Sequence, residues 1–247
     1  MNNLYFNKKS ALEDYDLIIV NAIEYPFVTK KIETVYVEGN RNGTLTIENE
    51  EYEDLSISVT FRLIKMDNYK NRMREINFWL SNIEDSRLFF EDYREKCYKV
   101  KYCSINNIKD VHFNSADFTV VFNLFPYIYK NEEFPTVISN NSNIYYDGDL
   151  EGYPIISLDL GEGERNLSVT IGENEFQLKG IEGYVVIDSS RSIIINENKQ
   201  SLGKKMIGNF PTLRPGVNNI SWEGEINKFE MLKNTIYKGW LNDLLIW

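Results

Sequence analysis

Cys97, Cys103 and His112 are the residues whose types could support nucleophilic catalysis. His112 is the single histidine of the chain, so a Ser-His-Asp or Cys-His arrangement could be built only around it. It sits on a polar lead into an apolar run that begins at Phe118, and no G-x-S-x-G elbow accompanies it. The cysteines bracket Cys97-Tyr-Lys-Val-Lys-Tyr-Cys103, which alternates as a strand does and sets them on one face about 20 Å apart. A disulfide tolerates a Cα separation of only about 7 Å, so both are expected as free thiols. The spacing is not CxxC, which argues against zinc and against dithiol exchange. His112 reads as a surface histidine.

Carboxylates offer two further chemistries. Asp147-Gly-Asp149-Leu-Glu151-Gly152 copies the opening of a calcium loop, but the bidentate Glu required at position twelve falls on Leu158, in an apolar strand. Glu162 with Glu164, or Asp14 with Asp16, could form an acid and base pair of the glycosidase kind. A chain with 37 acidic residues contains such pairs by chance, and Gly161-Glu-Gly-Glu-Arg-Asn166 reads as a solvated hairpin loop. Neither a P-loop nor a dinucleotide G-x-G-x-x-G is present. Trp222 and Tyr153 could stack on a sugar, yet both lie in alternating segments where a core position is the simpler reading. No catalytic, cofactor-binding or metal residue is assigned, and the chain is not expected to be an enzyme.

Elements that would hold such residues must come from 247 residues, enough for two domains or one large all-β domain. Hydrophobic residues make up 43% and aromatics 14%, which suits packed strands and excludes a disordered chain. The formal net charge of -10 disfavours nucleic-acid binding through phosphates, which needs Lys and Arg clusters. The acidity is spread along the chain. No run approaches a membrane span, and residues 1–10 lack the apolar core of a secretory signal, so a soluble protein made in a cytoplasm is expected.

Leu55, Ile57, Val59, Phe61 and Leu63 alternate with polar residues, the period of a half-buried strand. A second strand is expected over 118–124, stopping at Pro126. Between them a helix over about 68–83, capped by Asp67, is indicated by Tyr69, Met73, Ile76, Leu80 and Ile83. Around 131–152 the chain turns Asn, Glu and Pro rich, which marks a domain boundary. Beyond it, short apolar runs at 155–160, 167–171, 176–178, 184–187, 192–195 and 217–222 are separated by Gly, Asn and Asp turns, the pattern of a β-sandwich. The end, 228–247, is apolar and aromatic again and must be buried or covered.

One segment is more specific. Gly208-Asn-Phe-Pro211-Thr-Leu213-Arg-Pro215-Gly216-Val-Asn218-Asn-Ile220 resembles the G-x-F-P-x-L-x-P-G-x-N-x-I signature of siphophage distal tail proteins. Physically, Pro215-Gly216 makes a tight turn into a strand and Asn218 can fix it by local bonding. The strand, helix, strand order of the first half, Trp79-Leu80 followed by Leu88-Phe-Phe-Glu-Asp-Tyr93, and Tyr153-Pro154-Ile155-Ile156 agree with it.

The resemblance implies a mostly β protein: an N-terminal β-rich belt domain with one α-helix over 1–134, and a C-terminal galectin-like β-sandwich over 135–225. A segment over 226–247 would return to the first domain. It implies a structural virion protein made in the bacterial host cytoplasm. Copies would form a hexameric ring at the distal end of a phage tail, joining the tail tube protein to a tail-tip or baseplate protein. A receptor-binding protein could attach, DNA would pass only in transit, and no membrane is involved. The alternative is a carbohydrate-binding module of a cell-surface adhesion device; a polysaccharide-degrading enzyme ranks behind both.

Overall fold

The computed structural model describes residues 3–36, 43–65, 67–105, 109–112 and 115–239. The chain forms two compact units, Met1–Asn131 with Lys238–Trp247, and Glu132–Tyr237. Both are built almost wholly from antiparallel strands, so the protein is mostly β.

The first unit contains β1 (Leu4–Phe6), β2 (Lys9–Ser10), α1 (Ala11–Tyr15), β3 (Leu17–Ile19), β4 (Lys30–Val35), β5 (Leu45–Tyr52) and β6 (Leu55–Leu63). It continues with α2 (Tyr69–Ser81), β7 (Arg87–Phe90), β8 (Lys96–Ile105), β9 (Lys109–His112) and β10 (Ser115–Lys130). The main sheet runs β2-β1-β7-β8-β10-β6-β3, with β9 paired to β10. Alternation in β6 decides which face is buried: Leu55, Ile57, Val59, Phe61 and Leu63 are inside, and Ser56, Ser58, Thr60 and Arg62 point away. Its partner β10 sets Phe118, Val120, Phe122 and Leu124 opposite Phe61, Val59, Ile57 and Leu55. Each large side chain so buried contributes about 1.5–3 kcal/mol. On the outer face Arg62 donates twice to Asp117, at 2.7 Å each, and the Thr60 and Thr119 hydroxyls meet at 3.0 Å.

The expected strand end at Pro126 is corrected, because β10 continues to Lys130. Leu124 pairs with Val100 and Ile128 with Tyr98, so three residues, Phe125 to Tyr127, lie opposite the single residue Lys99. Such an irregularity accommodates a proline, which has no N–H to give the ladder. The helix also starts later and ends earlier than the spacing suggests, at Tyr69 and Ser81. Its N-cap is Asn68 in the left-handed region (φ 53°), not Asp67, and no side chain caps it. Ile76, Trp79 and Leu80 are its buried residues. Trp79 donates its indole N–H to the Phe6 carbonyl at 2.9 Å and stacks on Tyr15 at 4.6 Å between ring centres. The first unit carries a second, five-residue helix, α1, besides the one expected; it is capped by Ser10, whose hydroxyl accepts from the Glu13 N–H at 3.0 Å.

The second unit is a two-sheet sandwich. Its strands are β11 (Thr136–Val137), β12 (Ser142–Tyr146), β13 (Ile155–Asp159), β14 (Arg165–Ile171) and β15 (Asn174–Ile181), followed by β16 (Tyr184–Asp188), β17 (Ile193–Asn196), β18 (Met206–Gly208), β19 (Gly216–Glu223) and β20 (Lys228–Leu232). One sheet runs β11-β20-β13-β16-β17 and the other β12-β19-β14-β15-β18. Ile156, Leu158, Val185 and Ile187 from the first share one core with Leu167, Val169, Phe176 and Leu178 from the second.

Two expected limits move. The units divide after Asn131, where the composition suggested 134. The chain re-enters the first unit at Lys238, not at 226, because Phe229 and Met231 alternate inward from β20 and fill the sandwich core. Residues 240–247 of the apolar end lie outside the described residues.

Candidate functional site

The Pro-Gly-Asn segment links β18 to β19 and is a scaffold of backbone bonds. Gly208 ends β18 at φ 106°, and a Cβ there would meet the Glu175 carbonyl at 2.8 Å and Phe176 Cα at 3.1 Å. Phe210 packs against the sandwich core and Pro211 is buried. Leu213 is wholly buried and exchanges two 2.8 Å backbone bonds with Gly152. Asn218, 3% exposed, closes the turn after it: its carbonyl oxygen accepts from the Arg214 N–H at 3.0 Å, and its amide donates to the carbonyls of Arg214 (2.7 Å) and Gly216 (3.2 Å). Gly216 needs φ 95° with open space around it, so conformation and not room demands glycine beside Pro215. These six residues shape the connection that carries the chain from β18 to β19, two non-adjacent strands of the same sheet.

The carboxylates resolve in the same way. In the segment that copies a calcium loop, Gly148 and Gly152 flank the Tyr146 ring so closely that a Cβ on either would lie within 2.6 Å of the phenol. The Tyr146 hydroxyl accepts the Ile236 N–H at 3.0 Å, and Glu151 accepts from the Thr212 hydroxyl at 2.6 Å. The glycine spacing thus makes room for a buried tyrosine. Asp14 accepts from Lys9 Nζ and the Ser10 N–H. Asp16 receives Lys65 at 2.6 Å and Arg72 at 2.7 Å, and these bonds, Lys65 first, hold its carboxyl below the ordinary carboxylate range. Glu162 lines an open cleft with Glu182, Tyr184 and Asn198. Among the described residues no three His, Cys, Asp or Glu side chains cluster as a metal site.

Neither thiol is bonded. Burial pushes both up to about 12, far from a reactive thiolate. His112 lies on β9, and its side chain is outside the described residues. Trp222 stacks on Phe229 at 5.0 Å and packs against the sandwich core, which takes it from the candidate sugar contacts.

What the sequence reading missed is exposed apolar surface on the first unit. Strands β4 and β5 form a separate two-stranded sheet, hydrogen-bonded to no other strand among the described residues. Ile32 (61% exposed), Tyr36 (80%), Leu45 (49%) and Ile47 (42%) lie along it. Two-stranded ribbons are marginal in water alone. Leu45 and Ile47 do alternate with Thr46 and Glu48, but the following acidic run hides that signal in the sequence. On α2, Phe78 is 66% exposed, at the end of a stripe begun by Lys70 and Arg74.

No family model matches the chain, and no curated protein matches it. Among solved structures, the chain is similar over nearly all of its length to the crystal structure of SPP1 Dit (gp 19.1), described as a paradigm of the hub adsorption apparatus in phages that infect Gram-positive bacteria. The match covers 94% of this chain and 97% of that one, with a TM-score of 0.66 and 13% sequence identity. Both units, in their order and with their connection, therefore share the fold of SPP1 Dit.

Proposed function

We propose that this chain is a structural, non-catalytic component of a phage tail adsorption apparatus, a distal tail protein. The observation that carries the reading is the end-to-end likeness to SPP1 Dit: agreement over 94% of the chain extends to both units and not to one common domain type. The Gly208 to Ile220 segment supports it from the sequence side. In this reading six copies close into a ring at the end of the tail, the first unit forms the belt, and a galectin-like sandwich is displayed outward. The ring joins the tail tube protein to the tail-tip or baseplate protein and leaves a channel for DNA. No helix among the described residues is long and apolar enough to cross a membrane.

Light scattering on the purified chain over a range of concentrations tests this. The expected result is a mass rising towards six times 29.0 kDa, with rings visible by negative-stain microscopy. A strict monomer at the highest concentration sinks the ring.

A second reading, carbohydrate binding, draws on the half-exposed Tyr184 in its cleft beside Glu162, Glu182 and Asn198. Sugar affinity lost in Tyr184→Ala, in a chain that stays monomeric, would favour it.

A further inference from the structure

The β4–β5 ribbon and the outer face of α2 both expose apolar side chains among the described residues, and their chemistries match. Cross-strand pairs place Glu33 with Ile47 and Val35 with Leu45 on one face of the ribbon. Those two pairs bring together three apolar side chains and one carboxylate. The ribbon's lysines are taken: Lys30 pairs with Glu48 at 3.1 Å and Lys31 with Glu51 at 2.6 Å. Glu33 has no ion-pair partner among the described residues.

On α2, Lys70, Arg74 and Phe78 follow at intervals of four, so they form one stripe. The third helix cation, Arg72, is bound to Asp16 and Asp67. Lys70 and Arg74 have no ion-pair partner among the described residues. Arg74 and Phe78 border an open groove completed by Tyr15, Asn71 and Glu75. One surface is thus apolar with a spare carboxylate, and the other is aromatic with two spare cations.

We propose that the β4–β5 ribbon of one copy lies on the outer face of α2 of the next copy, with Val35, Leu45 and Ile47 against Phe78 and Glu33 against Arg74. The inference rests on the ring reading and names its contact. Because two different patches meet, the contact is heterologous, and such contacts close into rings when the rotation between copies is right. A ribbon that pairs with no other strand among the described residues gains a surface on the neighbour, which explains apolar residues on a structure too small to bury them.

Four single variants and one double variant of the full chain test it, with the assembly midpoint read by light scattering and the fold by circular dichroism. Ile47→Glu and Phe78→Glu should each raise the midpoint concentration at least tenfold while the thermal transition stays in place, since both sites are exposed. Glu33→Arg and Arg74→Glu should each raise it at least fivefold. The double variant Glu33→Arg/Arg74→Glu should return it to within threefold of the parent. A parent that assembles, together with Ile47→Glu and Phe78→Glu that assemble at the same concentration, overturns the contact and leaves the ring standing with the ribbon given to another tail protein. Single charge reversals that weaken assembly without rescue in the double variant overturn the Glu33–Arg74 pairing. A parent that never assembles overturns both the ring and this contact.

Discussion

Asn218 closes a four-residue turn with three side-chain hydrogen bonds. Replacing it by Ala removes these bonds from a nearly buried site, and each such bond is worth about 0.5–1.5 kcal/mol net. Asn218→Ala is therefore expected to lower the urea stability of the sandwich by about 1–3 kcal/mol. Val217→Thr next to it, at an exposed position, should change stability by no more than about 0.5 kcal/mol. Gly208→Ala should cost more than ~1 kcal/mol, because φ 106° and the Glu175 carbonyl both oppose a Cβ. Equal midpoints for Asn218→Ala and Val217→Thr would show that the turn forms without its asparagine. The thiols give a second prediction at this scale. With their pKa values pushed up to about 12, on the order of one thiol in ten thousand is ionised at pH 8, so Ellman's reagent should report almost no reaction in native buffer. Two equivalents should appear in denaturant, and since Cys103 is only partly buried, a fast native phase of both equivalents is what would contradict the burial of Cys97.

Between residues and whole units, Asp16 ties three elements together. It is the left-handed C-cap of α1 (φ 56°), its carboxylate binds Lys65 after β6 and Arg72 on α2, and its carbonyl accepts the Ile64 N–H at 3.1 Å. The folded state holds the Asp16 carboxyl below its ordinary value of 3.8. A depressed pKa stabilises the fold above the unfolded value, and that stability is lost as pH falls through the folded value. Asp16→Asn keeps a residue tolerant of the left-handed region and removes the charge. The variant should be less stable at pH 7, and its acid-unfolding curve should be shallower than the parent's below about pH 4. Parallel curves would assign the acid sensitivity to other groups. Elements were legible where one face is buried and the other wet: β6 reads directly because five buried and four outward residues alternate without a break. They were illegible where tertiary context overrides a local rule. Pro126 reads as a stop, but an irregular register on β8 absorbs it. Helix α1 is too short for periodicity to reveal, although Ser10 and Glu13 carry its cap. Phe229 and Met231 read as an apolar tail because sequence cannot say which core claims a strand. The six-residue motif was legible as a turn, whereas the ribbon was hidden by its own glutamates.

Charge belongs to the molecule as a whole. The chain carries 37 acidic residues against 27 basic ones, and the excess is shared: residues 1–134 hold 22 acidic and 17 basic side chains, leaving 15 and 10 beyond. Several of the cations are already committed to carboxylates, among them Lys30, Lys31, Arg62, Lys65, Arg72, Arg87 and Lys101. A protein that binds DNA by its backbone releases counterions as Lys and Arg neutralise phosphates, and its affinity falls steeply with salt. A protein through which DNA must pass without sticking needs the reverse, a field that repels phosphate. The full chain is therefore expected to leave the fluorescence anisotropy of labelled linear duplex unchanged, even at about 20 mM salt, where screening reaches only about 20 Å and a weak phosphate site would be at its strongest. Binding that disappears on adding salt would reveal a basic path within an acidic protein, and would turn the reading from passive transit of DNA to its retention.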